Sequence, residues 1–257
     1  RAVFTAPQFK KLPRRLAGGI YSLAQWLKLA RYERRMLRIC DLTVVVSDED
    51  QRALEHLGVS APFAVVPNGV DTDSFSRAAL LAERSAPLVF AAPTLVFSGT
   101  LDFRPNVDAL SWFVEAVLPL LQARRPAIRL LAVGRRPAPA LQQLVAEGRL
   151  TLTGEGAHAR PASVYIVPMR IGGGIRLKLL EALALEAPVV STSMGAEGVA
   201  GLRDGIHCLL ADSAEHFAAA VCRLLDEAET GARLGAAGRA GGAAEHVRGG
   251  IAPRRAA

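Results

Sequence analysis

The stretch VYIVPMRIGGGIRLKLLEAL, residues 164–183, decides the fold of this 257-residue chain. It combines a short, continuously apolar strand, a glycine-rich turn and a helix. Other short apolar runs alternate with helical patterns along the chain, which predicts βαβ units. Because several of these strands have no polar face, helices are expected to cover both sides of a parallel sheet. We therefore predict an α/β fold in which a parallel sheet has helices on both faces.

The apolar pattern predicts eight strands and five helices. The strands are predicted at Leu42–Val46, Phe63–Val66, Leu95–Phe97, Ile128–Val133, Leu150–Leu152, Val164–Val167, Val189–Ser191 and Cys208–Leu210. The helices are predicted at Asp48–Leu57, Val107–Gln122, Ala140–Glu147, Ile175–Leu185 and Ala214–Asp226.

Composition narrows the function class. The net charge of +7 favours anionic partners, whereas an aromatic content of only 5% argues against a nucleic-acid partner that stacks on bases. The cysteines and histidines have no metal-ligand or disulfide spacing, so no metal or other cofactor is expected and a reducing compartment is the simplest assumption. No apolar run is long enough to span a membrane and no secretory signal is found. We therefore expect a cytoplasmic protein.

Turn-forming residues and a change in composition predict three regions along the chain. The turn Pro67-Asn68-Gly69 separates residues 1–67 from a larger domain at 68–231. Residues 232–257 are rich in Gly, Ala and Arg, and a frayed helix followed by disorder is expected there. Because the chain begins at Arg1, we expect it to be a fragment or a processed product.

The segment Leu16–Leu37 has two interpretations. An apolar stripe at helical spacing accompanies Arg31, Arg34, Arg35 and Arg38 on another face. The helix could lie at the inner face of a membrane, on anionic lipid. Alternatively it is a helix packed on its own domain with a solvated basic face, which is the interpretation we favour.

The glycine triplet Gly172–Gly174 and the following helix start at Ile175 predict an anion site. Glycines let backbone N–H groups approach a ligand, and a helix N-terminus carries a partial positive charge. Lys178 and Glu181 share one stripe of this otherwise apolar helix. They form either a structural ion pair or a site in which Lys178 binds a phosphate and Glu181 accepts from a sugar diol.

A second group of residues follows the strand at Leu95–Phe97. Gly99 and Thr100 form a turn, and Asn106, a residue type that caps helices, precedes a predicted helix. Arg104 is held beside this turn, where it either clamps a diphosphate or is simply solvated. Gly134 and Arg135 follow the strand ending at Val133 and belong to the same edge of the predicted sheet, where ligands of α/β proteins bind.

An ordered series of segments carries a family resemblance. It comprises CDLTVVVSDEDQRAL (40–54), VVPNGVDTDSF (65–75), LVFSGTLDFRPNVDAL (95–110), LLAVGRRP (130–137), YIVPMRIGGGIRLKLLEALALEAPVVSTSMGAEGV (165–199) and DGIHCLLADSAEHFAAAVCRLL (204–225). Over residues 40–240 the chain resembles the carboxy-terminal half of a retaining GT-B glycosyltransferase of family 4.

The resemblance implies two Rossmann-like domains, of which the carboxy-terminal one binds a nucleotide-diphosphate sugar. It implies transfer of a hexose to a glycan or lipid-linked acceptor without a metal. Glu181 matches the family glutamate that holds the ribose, and the 172–176 region, including Arg176, matches the donor-sugar and diphosphate region. Gly99 and Arg104 match a glycine turn and a basic residue facing the diphosphate. No residue is assigned a catalytic role.

Three departures from the family pattern accompany the resemblance. Residues 1–67 resemble only the end of an amino-terminal acceptor domain, Gly173 stands where the family often has a glutamate, and the segment 154–163 is shorter than usual. Two alternatives therefore remain open at this stage. One is a nucleotide-sugar epimerase of the same fold, and the other is a non-catalytic nucleotide-binding fragment.

Overall fold

The structure, a computed structural model, describes residues 12–76, 92–154, 163–173 and 176–243. The backbone divides into two compact units, residues 1–67 and 68–257. Along the parts of the chain that the structure describes, no helix combines the length and the apolar character of a membrane span.

The first unit contains α1 (Leu12–Ile39), β1 (Thr43–Val45), α2 (Asp48–Glu55) and β2 (Phe63–Val65). The two strands pair in parallel, with Thr43 opposite Phe63. Ser47 caps α2 by accepting a hydrogen bond from the backbone N–H of Asp50 at 3.1 Å. A small core joins the helices to the strands and is formed by Ala30, Leu37, Leu57 and Val59, with Phe63 packed against it.

The second unit is built on a six-stranded parallel sheet. Its strands are β3 (Thr94–Ser98), β4 (Arg129–Val133), β5 (Thr151–Leu152), β6 (Val164–Val167), β7 (Val189–Ser191) and β8 (Leu209–Leu210). They lie in the order β5-β4-β3-β6-β7-β8. All eight predicted strands are present, with bounds that differ by no more than one residue at either end. The predicted α/β fold class is confirmed.

Helices flank this sheet and bury it. They are α3 (Arg104–Trp112), α4 (Leu118–Arg124), α5 (Pro139–Ala146), α6 (Leu177–Ala184), α7 (Ser193–Ala196), α8 (Ala214–Asp226) and α9 (Ala228–Ala237). The central strands have no accessible surface at Leu95, Val96 and Phe97 of β3 or at Ile166 and Val167 of β6. This complete burial is the physical reason why those strands are continuously apolar.

The helix predicted at Val107–Gln122 begins earlier and is interrupted. One turn of π-helix, Phe113–Val117, separates α3 from α4. Pro119 has no N–H to donate to the preceding turn, and the Leu118 N–H bonds to the carbonyl of Phe113. The carbonyl of Val114 instead accepts from Nη2 of Arg149 at 2.7 Å. A side chain distant in sequence therefore satisfies a carbonyl within the π-helical turn.

The carboxy-terminal region differs from the expected tail. Residues 232–237 complete α9 and residues 238–243 continue as a π-helical turn, and Leu234 is fully buried. A Cβ on Gly235 would lie 2.1 Å from the carbonyl oxygen of Glu186, so a glycine-rich helix packs where larger residues would not fit. Tertiary packing therefore overrides the low helix propensity of glycine. Residues 244–257 of the expected tail lie outside the described residues.

Candidate functional site

A crevice is expected where the strand order of the large sheet reverses. From β3 the chain proceeds to β4 and β5 on one side, then crosses to β6 and continues outward on the other side. In open α/β sheets, ligands bind outside the carboxyl ends of the strands at such a switch point. The turns that follow β3 and β6 meet this requirement, and both are glycine-containing turns that the sequence singled out.

The turn after β3 lies against the turn after β4. The Gly99 N–H donates to the carbonyl of Val133 at 2.9 Å, and the Leu101 N–H donates to the carbonyl of Arg135 at 2.9 Å. A Cβ on Gly134 would lie 1.9 Å from the carbonyl oxygen of Gly99. Close packing of two backbones therefore explains the glycine at 134.

Lys178 joins α6 to the first of these turns. Its Nζ donates to Oδ1 of Asn106 at 2.7 Å and lies 3.8 Å from the centroid of the Phe97 ring. Asn106 is buried, and its Nδ2 donates to the carbonyl of Thr100 at 2.8 Å. A Cβ on Gly99 would lie 2.9 Å from the same ammonium. The ammonium of Lys178 is thus placed at the carboxyl end of β3.

Electrostatics at Lys178 are set mainly by burial, which lowers the pKa of its ammonium to about 7. The nearby charge of Arg176 lowers this pKa further, and the charge of Glu181 raises it. Glu181 is half-buried. Burial is the main cause of the raised pKa of Tyr165, and the charge of Glu181 raises this pKa as well. The Tyr165 hydroxyl is hydrogen-bonded to that of Ser98 at the end of β3. A lysine and a carboxylate therefore share this part of the switch point.

The glycine-rich turn after β6 is described as far as Gly173; Gly174 and Ile175 lie outside the described residues. Gly172 has φ 118°, a left-handed conformation that favours glycine. Arg176 is buried, and its Nη1 donates to the carbonyl of Gly173. Its pKa is lowered by burial, with an opposing effect of Glu197. The Arg176 guanidinium thus folds back and supports the turn. The helix begins at Leu177 rather than at Ile175.

The remaining predicted residues lie at the surface of the same edge. The side chains of Thr100, Arg104 and Arg135 are exposed. Arg104 is the first residue of α3, and Asn106 lies inside that helix rather than at its cap. The structure therefore brings Gly99, Lys178 and Asn106 together, while Arg104 and Arg135 present their side chains to solvent.

Two contacts at this edge were missed from the sequence. Arg170, which follows β6, donates to both carboxylate oxygens of Asp108 on α3 at 2.8 and 3.1 Å and stacks on Trp112. Asn106 was expected only to cap a helix, although it is buried against Lys178. An arginine three residues after the end of β6 was a usable signal, whereas nothing in the local sequence pairs Asn106 with Lys178. Among the described residues, no group of three or more His, Cys, Asp or Glu side chains could hold a metal ion.

Two family models match the chain. One, described as "Glycosyl transferases group 1", matches residues 92–227. The other, described as "Glycosyltransferase Family 4", matches residues 14–74. The first covers more than half of the chain and contains the whole switch-point region from β3 to α8.

Named relatives agree with these models. A phosphatidyl-myo-inositol mannosyltransferase of Mycolicibacterium smegmatis is 31% identical over 198 residues, covering 72% of this chain and 48% of its own length. A GDP-mannose-dependent alpha-(1-6)-phosphatidylinositol monomannoside mannosyltransferase of Mycobacterium tuberculosis is 30% identical over 269 residues, covering 91% and 68%. The chain thus spans about half the length of the first relative.

A solved structure supports the same fold. Sucrose-phosphate synthase from Thermosynechococcus elongatus superposes with a TM-score of 0.68 at 23% identity, covering 86% of this chain and 58% of that one. At this identity the likeness concerns the fold alone.

Proposed function

Since the chain belongs to the group 1 glycosyltransferases of family 4, we propose that it binds the nucleotide-diphosphate sugar of a retaining, GT-B-type glycosyltransferase. In this reaction a hexose passes to a glycan or lipid-linked acceptor. The observation that carries the proposal is the ammonium of Lys178, held at the carboxyl end of β3 where the strand order reverses.

In this proposal Lys178 binds the diphosphate. Its hydrogen-bond partner Asn106 is a neutral amide and its neighbour Phe97 is an aromatic ring, so neither of these contacts neutralises the ammonium. The bond between the anomeric carbon and the diphosphate oxygen breaks with its electron pair going to the diphosphate, the acceptor hydroxyl oxygen bonds to that carbon, and the hydroxyl proton passes to the departing diphosphate. A positive group fixed beside the leaving oxygen stabilises the negative charge that develops on that oxygen.

Glu181 holds the ribose in the same proposal. It lies three residues after Lys178 on α6, and its charge acts on both Lys178 and Tyr165. A carboxylate accepts from two vicinal hydroxyls, as acidic residues do for ribose in dinucleotide-binding folds. Backbone N–H groups of Gly172 and Gly173 and the start of α6 would then face the diphosphate and sugar, and the exposed Arg104 and Arg135 would extend the positive edge.

The first donor to test is GDP-mannose, because a relative bears the name of a GDP-mannose-dependent enzyme. Neither relative named above is an epimerase, so the epimerase alternative is not favoured. The base, the sugar and the acceptor are questions for a donor panel that also contains UDP-sugars.

The test uses three ligands to distinguish the proposed roles of Lys178 and Glu181. Titration calorimetry with inorganic pyrophosphate, GDP and 2′,3′-dideoxy-GDP is carried out on the wild type, Lys178→Ala and Glu181→Ala. We expect Lys178→Ala to weaken all three ligands by about tenfold or more, the usual effect of losing a charged hydrogen bond. Glu181→Ala should weaken GDP but leave pyrophosphate and the dideoxy nucleotide unchanged.

The matched control is Gln143→Ala. Gln143 is an exposed residue of α5 whose side-chain amide donates to Oε1 of Glu147, the residue that follows this helix, at 2.9 Å. Its removal should change none of the three affinities. If GDP and pyrophosphate bind equally well to the wild type, Lys178→Ala and Glu181→Ala, the site assignment is wrong.

We also propose that α1 contacts an anionic lipid surface. Leu23, Trp26 and Leu27 continue the stripe of the buried Ala30 but are 58%, 45% and 41% exposed. Exposed basic residues, including Arg31 and Arg35, lie on the adjacent face. An exposed apolar stripe beside a basic face is the pattern of an interfacial helix, so the exposure favours this interpretation over a helix packed along its whole length.

A further inference from the structure

Asn106 is buried, although asparagine is usually found at protein surfaces. Only 6% of its surface is exposed, and it lies within the first turn of α3. Its amide makes two hydrogen bonds outside that helix: Oδ1 accepts from Nζ of Lys178 and Nδ2 donates to the carbonyl of Thr100. One side chain thus links α3, the turn after β3 and α6.

The chemistry of this contact differs from that of the neighbouring cations. Arg170 is paired with Asp108 on the same α3 helix, and Arg136 is paired with Asp102 at 3.2 Å. Both guanidinium groups are therefore neutralised by carboxylates. The partner of Lys178 is a neutral amide, which orients the ammonium without cancelling its charge.

The turn after β3 is shaped around this contact. A Cβ on Gly99 would lie 2.8 Å from Nδ2 of Asn106 and 2.9 Å from Nζ of Lys178. Both distances are shorter than Cβ atoms tolerate, so a side chain at position 99 would displace the pair. The glycine that the sequence offered as a ligand-facing turn therefore leaves room for these two side chains.

We propose that Asn106 is a positioning residue, which fixes the ammonium of Lys178 at the end of β3 for contact with the diphosphate. This inference rests on the proposed function. Asn106 does not touch the ligand itself. Its two bonds hold a long, flexible side chain in one orientation, so the entropy of ordering it is lost on folding rather than on binding.

The charged groups around Lys178 set the expectations for a pH experiment. Arg176, before α6, lowers the pKa of Lys178, and Glu181, on α6, raises it; Phe97 of β3 and Asn106 of α3 contribute no charge. Asn106→Asp keeps the shape of the side chain but adds an anion at hydrogen-bond distance. It should raise the pKa of Lys178 and at the same time neutralise its charge.

The first measurement needs no ligand. The ¹³Cε resonance of Lys178, assigned by its loss in Lys178→Met, is followed from pH 5.5 to 10.5. In Asn106→Asp the midpoint should move upward by about one pH unit or more. An unchanged midpoint would show that Asn106 does not contact the ammonium, and would overturn the inference whether or not the chain binds nucleotides.

The second measurement asks whether the contact serves binding. At pH 6, where the lysine is protonated, Asn106→Ala and Asn106→Asp should both weaken GDP and pyrophosphate by about tenfold. In Asn106→Asp the loss of affinity at alkaline pH should also begin at higher pH than in the wild type. Gln143→Ala, which removes an exposed amide from a helix, should bind both ligands as tightly as the wild type does. Thermal unfolding at the same pH identifies any variant that is not folded.

The outcomes separate the two proposals. If the resonance shifts but both Asn106 variants bind GDP as tightly as the wild type, the contact is structural and the positioning inference is wrong. If the wild type binds neither GDP, UDP nor pyrophosphate while the resonance still shifts, the proposed function fails and the positioning role falls with it. If Lys178→Ala weakens GDP while Asn106 variants do not, only the positioning inference fails.

Discussion

Replacing Lys178 by methionine should stabilise the protein more at pH 6 than at pH 9. Methionine keeps an unbranched apolar chain in place of the lysine stem and removes the ammonium. Because the folded pKa of Lys178, about 7, lies below its unperturbed value of 10.5, the unfolded chain binds more protons between these two values. The contribution of Lys178 to stability therefore rises with pH through that window.

The magnitude follows from the two pKa values. The shifted pKa of Lys178 lowers the free energy of unfolding by about 5 kcal/mol at pH 6, where the folded lysine is protonated. At pH 9 the folded lysine is neutral but the unfolded one is still protonated, and about 2 kcal/mol of this cost remains. The advantage of Lys178→Met over the wild type should thus shrink by about 2–3 kcal/mol between pH 6 and pH 9. The lost hydrogen bond to Asn106 is common to both pH values and cancels.

The assay is urea unfolding of the wild type and Lys178→Met at the two pH values, followed by circular dichroism. Lys28→Met is the control, because Lys28 is an exposed lysine of α1; its effect on the free energy of unfolding should be the same at both pH values. If the difference between Lys178→Met and the wild type is also independent of pH, Lys178 does not titrate in this window, and the argument from its burial is refuted.

Three further predictions test other parts of the structure. Binding of GDP at pH 7.5 should take up protons in the wild type but not in Lys178→Met, since an anion raises the pKa of Lys178; calorimetry in buffers of different ionisation enthalpy measures this. Gly235→Ala should lower the free energy of unfolding by about 1–3 kcal/mol, because its Cβ would meet the Glu186 carbonyl at 2.1 Å; unchanged urea unfolding would contradict that packing. Arg31→Glu with Arg35→Glu should reduce co-sedimentation with phosphatidylglycerol vesicles but not phosphatidylcholine vesicles, and equal binding to both would exclude the lipid contact of α1.

Strands were the most predictable part of the fold. A central strand such as β6 is buried on both faces, so nearly every residue in Val164–Val167 must be apolar. Such a strand can be recognised from its own sequence, without knowing which strands lie beside it. Interruptions within helices were less predictable from the sequence. The π-helical turn at Phe113–Val117 depends on Pro119 and on a guanidinium of Arg149 from a different part of the chain.

For the candidate site, the sequence indicated residues at one edge of the sheet but not the contacts between them. Local patterns identified Gly99, Lys178 and Glu181 as residues of one sheet edge. They assigned Asn106 to a helix cap, and they left Lys178 with either a phosphate or Glu181 as its partner. In the structure its hydrogen bond goes to Asn106, 72 residues earlier in the chain.

The division has a physical basis. Periodicity, glycine turns and caps act over a few residues, so the sequence by itself predicts the parallel sheet and the edge that carries the charged residues, and an ordered series of segments carries the family resemblance. Contacts across the reversal of strand order depend on which turns lie side by side, and that is set by packing of the whole sheet. Burial of Arg176 beneath its turn, the neutral partner of Lys178 and the packed helix at Ala228–Ala237 therefore emerged only from the folded arrangement.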